Sequence, residues 1–151
     1  MKESFIVESE KHTEIAGKYD VIVAGSGPSG FAAAVTAARN GAKTLIIEAQ
    51  SCIGGISTSG LMSHFTGRVD SRLYSEILER SHNQDFFECS EKVKIDPELL
   101  KNTYLEILSA AGADILLYTL VCDVIKNGDR VCGVITENKS GRMAYLADIL
   151  I

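Results

Sequence analysis

The chain has 151 residues, of which 46% are apolar and 23% charged, and its formal net charge is −5. This balance predicts one compact soluble domain, and the negative charge argues against nucleic acid as a partner because phosphate backbones select basic faces. No apolar run reaches the roughly 18 residues that a bilayer span requires, and the N-terminus lacks the apolar core of a signal peptide, so we expect no membrane segment and a cytoplasmic location.

The first half of the chain predicts a βαβ unit behind an N-terminal lead-in segment, residues 1–18. The lead-in segment carries one short apolar stretch, which predicts a strand at Phe5–Val7. The unit that follows has a buried strand, a helix that begins after a proline and ends at a glycine, and a second buried strand. Its predicted parts are Tyr19–Ala24, Pro28, Ser29–Asn40, Gly41 and Lys43–Ile47.

The second half predicts two helices and then strands. Residues 49–69 are loop-like and residues 82–94 show no clear period. Asp70 is expected to cap a helix over Ser71–Ser81, and Asp96, Pro97 and Gly112 delimit a helix over residues 97–111. The predicted strands are residues 113–119, a hairpin of Val121–Ile125 and Val131–Thr136 around Asn127 and Gly128, a further strand Met143–Ala147, and the start of another at residues 149–151.

Together these elements predict an α/β fold, with residues 19–151 as a Rossmann-like domain. It should have a parallel sheet with a crossover helix and an antiparallel β-meander.

Cysteine usage indicates reduced thiols rather than a metal centre. Cys52, Cys89, Cys122 and Cys132 form no C-x-x-C pair, and only three histidines accompany them. The pattern therefore predicts no metal site and favours small hydrophobes in a reducing compartment.

The stretch "VIVAGSGPSGFAAA" at residues 21–34 carries the clearest functional signal. Gly25, Gly27 and Gly30 form G-x-G-x-x-G between a predicted strand and a predicted helix. The first glycine permits a tight turn, the second lets the backbone approach a pyrophosphate, and the third allows close packing of helix and strand. The helix N-terminus then faces the anion. The alternative is a glycine-rich turn that only connects two elements.

Spacing after this loop sharpens the prediction. Small residues at Ala34 and Gly41 keep the helix close to the sheet, and Glu48 ends the second strand. A carboxylate there can accept both hydroxyls of an adenosine ribose, and it disfavours NADP because it repels a 2′-phosphate. The alternative for Glu48 is a surface carboxylate that ends a strand.

The glycine pair in "EAQSCIGGIS", six and seven residues after Glu48, completes a resemblance. Strand, G-x-G-x-x-G, helix, strand, Glu and G-G resemble the FAD-binding half of glutathione-reductase-like flavoproteins. "GGISTSGL" and the stretch from "IDPELL" to "NKSGR" resemble a family of bacterial FAD-dependent oxidoreductases.

That resemblance implies FAD as the cofactor and a role for nine residues. Gly54 and Gly55 would approach the pyrophosphate and ribityl chain, Glu48 would hold the adenosine ribose, and the backbone of Val121 would face the adenine. The pyrophosphate would be held by Gly25, Gly27, Pro28, Ser29 and Gly30.

The resemblance covers only the N-terminal portion of such proteins. An A-T-G-D stretch that touches the pyrophosphate, a segment that closes over the flavin, and a substrate domain would follow residue 151. The fold is therefore expected to be incomplete at its C-terminus, with an exposed edge at the last strand. A homo-oligomer or a partner chain could supply the missing segments.

The resemblance does not assign catalytic residues or a substrate. Cys52 lacks the C-x-x-x-x-C partner of disulfide reductases. His64 and Arg68 could approach the flavin or an anionic substrate, although an ordinary polar loop is the alternative.

The expected function is the FAD-binding portion of an oxidoreductase that transfers hydride to or from a small organic molecule. Alternatives are a nucleotide-binding or assembly module that needs a partner chain, an NAD-binding domain, and a thiazole-synthase-like enzyme with NAD as substrate. The last usually has a longer glycine run than "CIGGIS".

Overall fold

The computed structural model describes residues 8–62, 64–67, 69–81 and 92–151. Within these ranges the chain forms three helices, eight strands and a short 3₁₀ turn at Gly55–Ser57. The helices are α1 (Pro28–Arg39), α2 (Arg72–Ser81) and α3 (Pro97–Ala111). The strands are β1 (Glu14–Ala24), β2 (Thr44–Ile47), β3 (His64–Thr66), β4 (Lys92–Lys94), β5 (Asp114–Leu116), β6 (Leu120–Asn127), β7 (Arg130–Asn138) and β8 (Gly141–Leu150).

Six strands form one sheet in the order β5-β2-β1-β8-β7-β6, and β3 and β4 pair separately. The first four of these six are parallel to one another, and β8, β7 and β6 are antiparallel. β8 belongs to both the parallel and the antiparallel part of the sheet. One of its edges pairs with β1, from Glu14↔Met143 to Ile22↔Leu150, and the other pairs with β7. The predicted parallel sheet and β-meander are therefore confirmed, and they share a strand.

The sheet is buried on both faces at β2 and at the end of β1, where consecutive residues, which point to opposite sides of a strand, are all buried. Val21 and Val23 pack with apolar side chains of α1, α2 and α3. Ile22, between them, packs on the other side with Ile47 and with Val134 of β7. The helices thus cover one face, and side chains of β1, β2, β7 and β8 form a second apolar cluster on the other, which explains the continuous apolar runs of β1 and β2.

The ends of the helices follow local sequence signals. Asp96 accepts hydrogen bonds from the backbone N–H groups of Glu98 and Leu99, at 2.8 and 3.3 Å, and Gly112 ends α3 with φ of +80°. Both predictions are confirmed. The predicted cap of α2 is wrong by one residue: Ser71, not Asp70, accepts from the backbone N–H of Tyr74 at 3.4 Å. None of the described helices has the length and apolar character to cross a membrane.

Several predicted strand bounds are wrong because their partners lie far away in sequence. β1 begins at Glu14 rather than at Tyr19, inside the predicted lead-in segment, since its first residues pair with β8. The predicted strands at Met143–Ala147 and residues 149–151 are one continuous strand, β8. β8 lies between β1 and β7, so the expected exposed edge at the last strand is also wrong.

The remaining differences concern short strands. The third strand covers only Asp114–Leu116 of the predicted residues 113–119. The sequence predicts a loop at β3 and no regular element at β4, but the two segments form a small antiparallel sheet of their own. The predicted strand at Phe5–Val7 lies outside the described residues.

Candidate functional site

The turn between β1 and α1, residues 25–30, is the glycine loop that the sequence singles out. Gly25 has φ of +106°, and its N–H donates to the carbonyl oxygen of Ile47 at 2.8 Å. α1 begins at Pro28, with Gly27 at its N-cap. Among the described residues, no side chain caps this end of α1 and no acidic residue lies in its first turn. Its N–H groups and positive dipole end are therefore available to an anion.

Gly27 and Gly30 are required for different reasons. A Cβ atom on Gly30 would lie 2.0 Å from the carbonyl oxygen of Gly25, so only glycine lets α1 pack this closely on the loop. A Cβ atom on Gly27 would meet no heavy atom within 4 Å. Gly30 thus serves packing within the protein, whereas Gly27 leaves an open surface, as a glycine that faces a bound phosphate must.

The paired glycines bring a second loop against the first. Gly54 donates its N–H to the carbonyl oxygen of Ser26 at 2.8 Å. A Cβ atom on Gly55 would lie 3.1 Å from the Cα atom of Gly27, and Gly55 itself has φ of +54°. The two glycine loops, which the sequence separates by more than twenty residues, are adjacent in the structure.

Helix α3 packs against the second glycine loop through Tyr104. The ring of Tyr104 stacks on that of Phe31, with centroids 4.0 Å apart, and it is almost completely buried. A Cβ atom on Gly54 would lie 2.8 Å from this ring, so the loop packs directly on Tyr104. Ser57 and Thr58 hold the loop further, because their hydroxyls donate to the carbonyl oxygens of Gly54 and Ile53, both at 2.7 Å.

Glu48, at the end of β2, is tied to the first glycine loop. Its Oε2 atom accepts from the backbone N–H of Ser26 at 2.9 Å and from the Ser26 hydroxyl, and its Oε1 atom accepts from the backbone N–H of Gln50 at 2.8 Å. The side chain of Glu48 is buried, with 8% of the residue exposed. Glu48 therefore fixes the loop to β2, in addition to the ribose contact that its position predicts.

The surroundings of Glu48 keep it charged. Burial raises the pKa of its carboxyl, but the hydrogen bonds from Ser26 and from the backbone of Gln50 and Ala49 together outweigh burial and lower the pKa below its ordinary value. The carboxylate is therefore ionised at neutral pH and stabilised by fixed donors.

A lowered pKa in the folded state makes stability depend on pH. The contribution of Glu48 is fully present above the pKa of the unfolded chain and is lost as pH falls through the folded pKa. We expect Glu48→Gln to lower the unfolding temperature at neutral pH, and the gap from wild type to shrink as the pH falls from about 7 to about 3. Thermal unfolding followed by circular dichroism at each pH measures this gap. Glu79→Gln, at an exposed position on α2, is the control; a gap for Glu48→Gln that stays constant with pH would contradict the expectation.

The other residues that the sequence suggested for the site, Val121, Cys52 and His64, lie in three different parts of the structure. Val121 is the second residue of β6, pairs with Thr136 and packs against the apolar cluster that contains Ile22, Ile47 and Val134. Cys52 is half-buried, with its Sγ atom 3.1 Å from the Ser59 hydroxyl, in the segment that leads to the paired glycines. His64 is half-buried in β3 and pairs with Lys94 in the small sheet.

Arg68 and Cys89 lie outside the described residues. The three described cysteines, Cys52, Cys122 and Cys132, are free. Across the described ranges, no three His, Cys, Asp or Glu side chains are close enough together to hold a metal ion.

Two residues of this region were not singled out by the sequence. Ser26 is completely buried and bonded to Glu48, although the motif leaves its identity open. The sequence predicts a strand that includes Tyr118, yet this residue has φ of +52° and its N–H donates to the carbonyl oxygen of Gln50 at 3.1 Å. A buried hydroxyl and a left-handed backbone both depend on long-range contacts, so no local sequence signal could have identified them.

The chain is similar to a known protein family and to known proteins in its sequence. The model of the family described as FAD dependent oxidoreductase matches residues 20–151. A thiamine thiazole synthase of Methanococcus vannielii is 32% identical over 134 residues, which cover 84% of this chain and 49% of that relative. The chain thus spans about half the length of the curated relatives of this kind.

Solved structures share the fold at lower identity. THI4 of Thermovibrio ammonificans superposes with a TM-score of 0.69 at 20% identity, over 88% of this chain and 56% of that one. A geranylgeranyl bacteriochlorophyll reductase-like protein of Thermoplasma acidophilum gives 0.65 at 20% identity, over 92% and 39%. These likenesses confirm the predicted Rossmann-like α/β fold.

Proposed function

The chain belongs to the FAD-dependent oxidoreductase family, whose model covers most of it, and we propose that it forms the FAD-binding portion of an enzyme that transfers hydride to or from a small organic molecule. One observation supports this proposal above the others. Two glycine loops lie against each other at the carboxyl end of β1, and the Cβ position of Gly27 between them faces open space. Ligands of open α/β sheets bind at this end of the strands.

The arrangement supports a distinct role for each part of the site. The uncapped first turn of α1 is suited to the pyrophosphate, and the charged carboxylate of Glu48 is suited to the adenosine ribose. Gly54 and Gly55 would bring the second loop to the pyrophosphate and ribityl chain, and the backbone of Val121 would face the adenine. The proposed pyrophosphate residues are Gly25, Gly27, Pro28, Ser29 and Gly30.

Bound FAD would supply the redox chemistry, and the residues of the chain would bind and orient it. N–H groups in the first turn of α1 would donate hydrogen bonds to the pyrophosphate, and the positive end of the helix dipole would stabilise its charge. The carboxylate of Glu48, held by Ser26, would accept a hydrogen bond from a ribose hydroxyl and would repel a phosphate at the 2′ position.

Titration with FAD tests the proposal. The purified chain is expected to bind FAD, and binding should shift the visible absorption spectrum of the flavin. Glu48→Ala should weaken binding by roughly 10- to 150-fold, because a hydrogen bond to a charged group contributes about 1.5–3 kcal/mol. Glu79→Ala, at an exposed position on α2, should bind as the wild type does. Equal affinity of the wild type and Glu48→Ala would remove Glu48 from the site.

A second candidate is a thiazole-synthase-like function with NAD as substrate, which the thiamine thiazole synthase relatives favour. Competition separates the two candidates. If NAD displaces FAD from the wild-type chain at concentrations near that of FAD, the second candidate, or a plain NAD-binding domain, is preferred.

Partner chains and location complete the proposal. A second copy or a partner chain would contribute further residues to the site, and copurification of such a chain would favour an assembly module. The free thiols suit a reducing compartment, so a cytoplasmic location is also proposed.

A further inference from the structure

Tyr118 is fixed beside the end of β2 by its backbone. After β5, the chain runs alongside the segment that follows β2: the N–H of Tyr118 donates to the carbonyl oxygen of Gln50 at 3.1 Å, and the N–H of Thr119 donates to that of Glu48 at 2.9 Å. Thr119 is buried, and its hydroxyl accepts from the side-chain amide of Asn138 at 3.0 Å. Tyr118 is therefore held firmly at the carboxyl end of the sheet.

The conformation of Tyr118 is unusual in two respects. Its φ of +52° is unfavourable for a residue with a Cβ atom, and among the described non-glycine residues only Leu61 shares a positive φ. Its side chain is also exposed, with 64% of the residue accessible to solvent. Packing within the described part of the chain thus does not explain the ring, and local strain of this kind is concentrated at ligand sites.

Tyr118, Glu48 and the glycine loop lie in the same order as the base, ribose and pyrophosphate of a nucleotide. β5, β2 and β1 are neighbours, about 4.8 Å apart, and their carboxyl ends lead into Tyr118, Glu48 and the glycine loop respectively. An adenosine diphosphate has its base, ribose and pyrophosphate in that same order. We infer that the ring of Tyr118 is the surface on which the adenine base of the bound dinucleotide stacks. The inference rests on the proposed function, and it assigns the base to a side chain rather than to the backbone of Val121 alone.

ADP is the appropriate probe, because it contains the base, ribose and pyrophosphate without the flavin. Tyr118→Ala should weaken ADP binding about 5- to 150-fold, the range observed when an aromatic partner of a stacked base is removed. Tyr118→Phe should retain most of the affinity, because the ring remains. Tyr118→Asn removes the ring but suits a positive φ, so it should lose as much affinity as Tyr118→Ala. Circular dichroism confirms that each variant is folded.

A fluorescent reporter tests the stacking directly. The chain contains no tryptophan, so Tyr118→Trp introduces a single indole. ADP should quench its fluorescence with the same concentration dependence as binding measured by calorimetry. Ile15→Trp is the control, because Ile15 is 59% exposed and lies about 30 Å along β1 from the glycine loop. Its fluorescence should not respond to ADP.

Each outcome is decisive. If wild-type chain binds neither FAD nor ADP, the proposed function and this inference both fail. If ADP binds but Tyr118→Ala and Tyr118→Asn retain wild-type affinity, the site stands and the inference is wrong. If only Tyr118→Asn retains it, the backbone conformation matters and the ring does not, which also overturns the inference.

Discussion

A Gly30→Ala variant should unfold at a clearly lower temperature than the wild-type chain. The new Cβ atom would lie 2.0 Å from the carbonyl oxygen of Gly25, a backbone atom that no side-chain rotation can move. Overpacking of a close contact costs about 1–3 kcal/mol and occasionally more. With a backbone atom as the neighbour, we expect the upper end, which corresponds to a fall of roughly 6–12 °C in the unfolding midpoint of a chain of this size. Thermal unfolding followed by circular dichroism measures it.

Gly27→Ala is the matched control in the same loop. Gly27 has φ of −57°, which any residue adopts, and a Cβ atom there meets nothing within 4 Å. Its midpoint should remain within a few degrees of wild type, apart from the modest loss expected when alanine replaces glycine at an N-cap. A Gly30→Ala midpoint as high as that of Gly27→Ala would show that α1 does not pack on the loop as described.

Gly27→Val should strongly weaken FAD binding while the fold survives. The branched side chain would project into the open surface beside Gly55, where the pyrophosphate is proposed to lie. Two or more hydrogen bonds to a charged group would be lost, each worth about 1.5–3 kcal/mol, so the affinity for FAD should fall about 100-fold or more. Calorimetric titration with FAD measures this, alongside a thermal unfolding curve.

Ala110→Val, at an exposed position on α3, controls for the presence of an added valine. It should bind FAD as the wild type does. Folded Gly27→Val with undiminished FAD affinity would exclude the glycine loop as the pyrophosphate site. Together with Gly30→Ala, this variant separates a glycine that the fold needs from a glycine that the ligand needs.

Local chemistry explains what the sequence predicted well. The bounds of α3 follow from a carboxylate at Asp96 and a glycine at Gly112, and each acts within one turn of the helix. The turn at Gly25 and the tight contact at Gly30 follow from the absence of a Cβ atom, which the spacing of glycines in the sequence reveals directly. Such features require no knowledge of distant contacts.

Long-range pairing explains what the sequence did not predict. Residues at the start of β1 are mostly exposed, so they show no apolar pattern; they form a strand because β8 lies beside them. Similarly, the spacing of Glu48 from the glycine loop suggested a ligand contact. Its bonds to Ser26 depend on how β1 and β2 align, which no local pattern encodes.

The shared position of β8 also affects the order in which the protein can assemble. Glu14 pairs with Met143 and Ile22 with Leu150, so nearly the whole chain separates the two partners. Contacts of this kind have a high entropic cost of loop closure and slow the folding of a domain. During synthesis, one edge of β1 therefore remains unpaired until β8 emerges. The N–H of Ala24, next to the glycine loop, is bonded only once the carbonyl of Ile151 arrives, so competence to hold a nucleotide should come late in folding.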